Sequence, residues 1–215
     1  METAKVISLQ SLLNRPKKIF RDHVFRKEHD WQLKVPLAGI ANKWPAADHD
    51  MEFFPILSIN DPRLHDVARD FPKQSKAFSG NFADGCILLC VGQGTNVLGY
   101  FVVALQDFYD ADCFRVTFPA SKKECYSFNL FVSEENRNKS VARVVVSEGF
   151  AWLGSQGYES TYAMCSAANK PLVRFYSQMG MKPTGRALDQ YVTKVFTFSR
   201  WTDKREIAGK RQPKA

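Results

Sequence analysis

Apolar residues recur with the period of a helix in two segments of the second half of the chain. Residues 140–155 place Val141, Val144 and Trp152 on one face, and an unbroken segment of this length exceeds an ordinary strand. Residues 169–180 repeat apolar side chains at i, i+3, i+4 and i+7 behind an Asn-Lys-Pro start, and glycine closes them. The pattern predicts a helix over each segment.

Runs of apolar, β-branched and aromatic residues predict the strands. The predicted strands are 51–59, 86–91, 97–105, 125–132, 160–165 and 190–198, and two short helices lie between the first two, from 60 to 78. Residues 80–85 predict a loop, and 107–124 is a long connection with a further short strand at 113–118. The order from residue 51 is β-α-α-β-β-β-α-β-α-β. It predicts an α/β (α+β) fold with a mixed, largely antiparallel sheet flanked by helices.

The first fifty residues show no dominant period, because prolines and charges interrupt the apolar runs. We therefore predict three regions: an N-terminal extension of unclear structure (1–50), a folded domain (51–198) and a basic C-terminal tail (199–215). A length of 215 residues suits one domain with such additions.

The net charge of +8 is concentrated at the two ends of the chain. Residues 1–30 carry +3, residues 199–215 carry +4 and the body between them carries +1. A nucleic-acid-binding domain usually gathers positive charge on a folded face, so nucleic acid is a disfavoured partner that only the ends support. No run of 18 apolar residues is present, which predicts that nothing spans a membrane.

The five cysteines are an odd number without a CxxC pair, which argues against a disulfide framework and against a zinc ribbon. They favour a reducing compartment, and we expect a cytoplasmic protein. The four histidines lack the spacing of metal ligands, so no metal is expected.

A polar turn between the predicted strand 125–132 and the predicted helix 140–155 carries the candidate chemistry. The turn, Arg137-Asn138-Lys139-Ser140, leads directly into the predicted helix at Val141 and Ala142. The N-terminus of a helix presents unpaired N–H groups and a partial positive charge, and consecutive amides in a turn form an anion-binding nest. Two basic side chains and two small residues complete a predicted diphosphate site.

These positions resemble a known family. Arg137-x-x-Ser140-x-Ala142 after Leu130-x-Val132 is similar to the R/Q-x-x-G-x-G/A motif of the GCN5-related N-acetyltransferase (GNAT) superfamily. The family's second motif, N-x-x-A-x-x-x-Y-x-x-x-G-F, is similar in spacing to Asn169, Leu172, Tyr176, Gly180 and Met181. The resemblance covers residues 126–181 in order and spacing. Its main departure is Ser140 in place of glycine, which leaves the backbone less free or the diphosphate less closely held.

The resemblance implies acetyl-CoA, or another acyl-CoA, as the co-substrate, with no metal. It implies that the pantetheine arm pairs with the backbone of the strand end and that the diphosphate binds the turn. The implied arm-binding residues are Leu130, Phe131, Val132, Asn169 and Tyr176, and the implied diphosphate-binding residues are Arg137, Asn138, Lys139, Ser140, Val141 and Ala142.

The implied activity is that of an acyl-CoA-dependent N-acyltransferase, which moves an acetyl or another acyl group, other than an amino-acyl group, to an amine by direct attack. Tyr176 faces the departing sulfur in this scheme. Because a tyrosine has a pKa of about 10 and a thiol about 8.5, full proton transfer is uphill by about 2 kcal/mol, so hydrogen bonding to developing charge is the expected role. Glu124 is the nearest candidate base. A relay through Cys125 or Cys165 is an alternative to inert, buried thiols.

Other interpretations stay open from the sequence. The chain could be a non-catalytic acyl-CoA sensor or a partner-docking module of the same fold, because Ser140 and the missing base weaken catalysis more than binding. A homodimer is also left open. No residue identifies the amine acceptor.

Overall fold

The computed structural model describes residues 25–38, 50–111, 113–137, 139–193 and 197–203. Its strands are β1 (Phe25–Pro36), β2 (Glu52–Ile56), β3 (Cys86–Gln93), β4 (Asn96–Ala104), β5 (Phe108–Asp110), β6 (Val116–Phe118), β7 (Glu124–Val132), β8 (Ser160–Ser166), β9 (Lys182–Thr193) and β10 (Thr197–Asp203). Its helices are α1 (Leu64–Asp70), α2 (Phe78–Ala83), α3 (Val141–Ser155) and α4 (Lys170–Gln178), with 3-10 turns at Ser75–Ala77 and Glu134–Asn136.

Eight of these strands form one sheet in the order β10-β9-β1-β8-β7-β4-β3-β2, and β5 pairs with β6 in a separate hairpin. Every neighbouring pair in the sheet is antiparallel except β7 and β8, which are parallel. The predicted mixed, largely antiparallel sheet flanked by helices is confirmed. The predicted strands at 86–91, 97–105, 125–132 and 160–165 are confirmed as β3, β4, β7 and β8.

The sheet is covered on both faces, and each face has its own hydrophobic core. Helices α3 and α4 cover what we call the helix face, whose core includes Leu33, Val145 and Leu153. Helices α1 and α2 and the β5–β6 hairpin cover what we call the hairpin face, whose core includes Tyr162 and Leu188. Burial of each large apolar side chain stabilises such a core by about 1.5–3 kcal/mol.

Helix α3 forms despite three consecutive β-branched residues. Val144, Val145 and Val146 are all buried, because the helix lies directly on β3 and β4. Gly149 permits this close approach, since a Cβ atom at this position would lie 2.6 Å from the ring of Phe101. The length of the segment is therefore a better guide to its structure than the β-propensity of its valines.

Strand β1 is the largest departure from the prediction. Its residues lie in the region predicted as an extension of unclear structure, yet the strand sits between β8 and β9. Trp31, Leu33 and Val35 pack on the helix face. The charged residues before this alternation and Pro36 after it hide the period of two that is typical of a strand. The sheet therefore begins well before residue 51.

Two smaller predictions are wrong. Residues 80–85, predicted as a loop, contain the second half of α2, in which Asn81 is buried and Phe82 packs on the hairpin-face core. Residues 190–198, predicted as one strand, belong to two antiparallel strands, β9 and β10. The prediction missed the division because the alternation of apolar and polar residues continues on both sides of it and the sequence has no glycine there. Residues 199–203 of the predicted tail pair with β9, and residues 204–215 lie outside the described part of the chain.

Candidate active site

The parallel strands β7 and β8 pair over only part of their length. Three residue pairs join them, from Glu124–Ser160 to Tyr126–Tyr162, and we call this region the closed end. At the edge of this paired region, the hydroxyl oxygens of Ser127 and Thr161 lie 2.6 Å apart, within hydrogen-bond distance. Beyond this contact β7 continues to Val132 and pairs only with β4 among the described strands. This region, which we call the open end, leaves backbone N–H and C=O groups of β7 available to an extended ligand.

A bulge re-aims the side chains of β7 at the open end. Val102 of β4 is opposite Phe128 and Tyr100 is opposite Phe131, so Asn129 and Leu130 together face Phe101. Asn129 has φ 51°, a left-handed conformation that asparagine adopts more readily than most residues. Bulges of this kind are over-represented beside active sites, because they redirect a side chain without ending the strand.

A small cavity lies beside the bulge, between β7, β8, α3 and α4. Its volume is about 10 Å³, which is room for a group the size of one water molecule. The cavity is lined by Phe101, Ser127, Phe128, Leu130, Val146, Phe150, Ala163 and Tyr176. Of these residues only Leu130 and Tyr176 are among the predicted site residues. The asparagine within an otherwise apolar strand is the sequence signal that could have indicated the bulge.

Tyr176 extends from α4 into this cavity and is 7 % exposed. Burial, and then the neighbouring thiol of Cys165, raise the pKa of Tyr176 well above its ordinary value. The tyrosine is therefore a weaker proton donor than its type suggests, which favours hydrogen bonding over full proton transfer. Among the described residues its hydroxyl has no hydrogen-bond partner, so a ligand in the cavity can accept its hydrogen bond.

Two buried thiols on this strand pair, Cys125 at the closed end and Cys165 beside the open end, are poor nucleophiles. Burial raises the pKa of Cys125 to about 12 and that of Cys165 to about 11, the latter with a contribution from Asp30. Because the thiolate is the reactive form, both side chains are inert at neutral pH. The raised pKa values therefore speak against either thiol as an acyl carrier.

The predicted anion-binding turn leads from the end of β7 into α3. No side chain caps the helix, so its first amides, at Val141 and Ala142, have no intrahelical acceptor. The Arg137 side chain is exposed, and its Nη2 lies 3.6 Å from Glu134 Oε1. Lys139 Nζ lies 3.3 Å from Asn136 Oδ1. Both cationic residues are exposed and remain accessible to an anion. Asn138 lies outside the described residues.

Ser140 adopts the conformation that explains glycine at this position of the family motif. Its φ and ψ are 62° and 1°, in the left-handed region, where a Cβ atom costs about 1–2 kcal/mol. Serine thus holds the left-handed conformation that glycine adopts freely. Serine in place of glycine therefore lowers the stability of the turn more than it changes the conformation at this residue.

Asn169 lies at the N-terminus of α4 and acts as its cap. Its Oδ1 accepts a hydrogen bond of 3.2 Å from the Leu172 amide. The capping role accounts for asparagine here on structural grounds. Its side-chain NH₂ group is exposed near the open end and is the part that a ligand could use.

Glu124 is at the closed end, away from the cavity. Lys34 Nζ donates to its Oε2, and the Ser160 hydroxyl donates to the same oxygen at 3.2 Å. It lies three residues before Ser127, which is about 10 Å along a strand. The carboxylate is thus engaged in an ion pair and is distant from the group that an attacking amine would reach.

The described fold contains a parallel strand pair that opens beside an uncapped helix N-terminus. The sequence profile described as "Acetyltransferase (GNAT) family" matches residues 47–181, more than half of the chain. The chain belongs to the GNAT family. No curated protein matches its sequence.

Solved structures share the fold at low identity. A conserved protein of unknown function from Staphylococcus epidermidis superposes with a TM-score of 0.55 at 10 % identity, covering 94 % of this chain and 71 % of its own. A putative GNAT acetyltransferase from Novosphingobium aromaticivorans superposes with a TM-score of 0.50 at 13 % identity, and the match covers 78 % of this chain and 64 % of that one. A tandem GNAT protein from the clavulanic acid biosynthesis pathway superposes with a TM-score of 0.53 at 11 % identity, and the match covers 86 % of this chain and 56 % of that one. The chain spans less than two thirds of the last two structures, and the likeness shows the fold alone.

Two further observations concern the described residues. No group of three or more His, Cys, Asp or Glu residues lies where it could hold a metal ion. None of the described helices is long and apolar enough to cross a bilayer.

Proposed function

We propose that the chain is an acyl-CoA-dependent N-acyltransferase that transfers acetyl, or a similarly short acyl group, to an amine. The observation that carries the proposal is the open end of β7 and β8, where the unpaired strand and a buried tyrosine border one cavity and the uncapped N-terminus of α3 follows the same strand. Each of these features would bind a different part of an acyl-CoA molecule.

Coenzyme A binding would use the turn and the open strand. The diphosphate would accept hydrogen bonds from the amides of residues 140–142, with Arg137 and Lys139 supplying positive charge. The pantetheine arm would pair with β7 near Leu130, Phe131 and Val132, as an added strand does. The exposed amide of Asn169 would contact the same arm.

The acyl group would enter the cavity beside the bulge. A volume of about 10 Å³ suits a methyl group, and a longer chain would have to displace Phe101 or Phe150, which are 2 % and 1 % exposed. This supports acetyl over long acyl groups. The amine then attacks the thioester carbon, the carbon–sulfur bond breaks and the thiolate accepts a hydrogen bond from Tyr176. The attacking amine must be neutral, and water is the acceptor we propose for its proton.

A non-catalytic acyl-CoA sensor is the second candidate function. The observation that favours it is the ion pair of Glu124 with Lys34, which leaves the described part of the site without an identified base. Binding of coenzyme A is common to both functions, whereas turnover separates them.

Thermal unfolding with coenzyme A, 3′-dephospho-CoA and pantetheine tests the binding. We expect a rise in Tm that grows with coenzyme concentration and is lost with pantetheine, which lacks the diphosphate. Release of free thiol from acetyl-CoA in the presence of amine pools then tests turnover. Absence of any shift with coenzyme A would refute both functions, and a shift without thiol release would favour the sensor.

The cellular compartment is a further part of the proposal. No disulfide joins the five cysteines, which all lie in the described part of the chain, and four of them are buried, which supports a reducing compartment such as the cytoplasm. Fractionation of cells that express the tagged protein checks this point.

A further inference from the structure

The ring of Phe101 forms one wall of the cavity beside the bulge, and its neighbours enclose it on several sides. On α3, a Cβ atom at Gly149 would lie 2.6 Å from both Cε1 and Cζ of this ring. Within the sheet, Leu89 of β3 is opposite Phe101 on one side and the bulge of β7 is opposite it on the other. Because interiors are packed with few voids, the tip of the ring has little freedom to move away from the cavity.

Glycine at position 149 has no local reason within the helix. Gly149 lies inside α3 with an ordinary negative φ, where glycine lowers helix stability relative to alanine. The described atoms nearest to a Cβ atom here are those of the Phe101 ring, followed by Leu89 Cδ1 at 3.1 Å. The close approach of the ring therefore accounts for glycine at this position.

Two aromatic rings bound the cavity on the side of the helix-face core. Phe101 and Phe150 both line it, and their rings meet edge to face with centroids 6.1 Å apart. An acyl group that enters from the open end would therefore meet these rings once it fills a volume of about 10 Å³. Phe150 is carried by α3 itself, whereas the position of the Phe101 ring depends on the missing side chain of Gly149.

We propose that Phe101, held in place by Gly149, determines the length of the acyl group that the chain accepts. The inference rests on the proposed N-acyltransferase function and adds a determinant of its acyl donor. The Phe101 ring contacts the terminal methyl of the acyl group, and Gly149 acts through the ring as a positioning residue. Each further methylene has to displace a ring that the helix, β3 and the bulge enclose, so short acyl groups are selected.

Thiol release from acetyl-CoA, butyryl-CoA and hexanoyl-CoA, with the amine that reacts fastest with acetyl-CoA, tests the assignment. We expect kcat/KM for acetyl-CoA to exceed that for butyryl-CoA by about 100-fold. Phe101→Leu removes about three carbon atoms from the wall and should reduce this ratio to about threefold or less. Phe78→Leu makes the same change in the hairpin-face core, at a residue that is 4 % exposed, and should preserve the wild-type ratio.

A double variant tests the role of Gly149. Gly149→Ala should lower kcat/KM for acetyl-CoA by about tenfold, because the added methyl group displaces the Phe101 ring. In the Phe101→Leu background the same substitution should cost less than about twofold, since leucine ends at its Cδ atoms and lacks the Cε1 and Cζ atoms that the methyl group meets. A glycine that served only the packing of α3 on the sheet would give equal losses in both backgrounds.

A binding measurement tests the same wall without turnover. Calorimetry without amine should give butyryl-CoA a lower affinity than acetyl-CoA for the wild-type chain and similar affinities for Phe101→Leu, whose rise in Tm with coenzyme A verifies that the variant is folded. A wild-type chain that does not discriminate by length, a Phe101→Leu variant that keeps the wild-type ratio, or a Phe78→Leu variant that loses it overturns the role of Phe101. Binding of coenzyme A and turnover of acetyl-CoA by the wild-type chain are measured in the same series, so these outcomes are distinct from failure of the proposed function.

Discussion

The closed and open ends of the β7–β8 pair consist of the same two strands, yet they satisfy their polar groups in different ways. At the closed end Glu124 has both an ion pair with Lys34 and a hydrogen bond from Ser160. At the open end the β8 side of the β7 backbone, the first amides of α3 and the hydroxyl of Tyr176 lack partners among the described residues. The difference teaches that the site is recognised by what is left unpaired more than by which residue types are present.

The largest expected effect comes from removing the hydroxyl at the open end. Tyr176→Phe should lower kcat by about 100-fold, because it removes the donor that stabilises the departing thiolate, and it should leave the coenzyme A shift in Tm intact. Steady-state thiol release with acetyl-CoA measures this. An unchanged kcat would mean that Tyr176 serves only as a packing residue.

The next effect concerns charge at the mouth of the open end. Arg137→Ala should weaken coenzyme A binding by about tenfold, because in the proposed complex the exposed guanidinium pairs with a phosphate. Lys122→Ala removes the same charge from the loop before the closed end and should not change the affinity. Isothermal calorimetry compares the two variants, and equal losses would show that the effect is general electrostatic attraction.

A smaller effect should follow from relief of backbone strain at the turn. Ser140→Gly should raise Tm by about 1–2 °C. Glycine adopts φ 62° freely, so the substitution removes backbone strain from the folded state, and the greater conformational entropy of the unfolded glycine chain offsets only part of this stabilisation. Ser140→Ala keeps the strain and serves as the control. A lower Tm for the glycine variant would contradict the strain argument.

The smallest effect should come from the closed end. Glu124→Gln should change kcat by less than about threefold and Tm by about 1–2 °C, because the Lys34 pair is partly exposed and such pairs contribute about 0–1 kcal/mol. Thiol release and thermal unfolding measure both quantities. A loss of kcat comparable to that of Tyr176→Phe would identify Glu124 as the base and remove the functional contrast between the two ends.

Local pattern was sufficient for one part of the molecule. Helices α3 and α4 and strands β3, β4, β7 and β8 follow from periodicity and length, and the turn at 137–142 follows from its neighbours. The partial pairing of β7 with β8 depends on contacts between residues distant in sequence, which no local period contains. The burial of Asp30, which is 5 % exposed, has the same origin, because it depends on β1 lying between two strands from the other end of the chain.

The central position of β1 also determines when the protein can finish folding. His29 on this strand contacts Asp189, 160 residues later. During synthesis β1 emerges early but cannot pair until β8 and β9 have been made, so the sheet closes only after almost the whole domain has left the ribosome. Non-local pairing of this kind slows folding and prolongs the exposure of strand edges. A deletion through Pro36 would leave β8 and β9 without their shared neighbour, and we expect such a chain to aggregate.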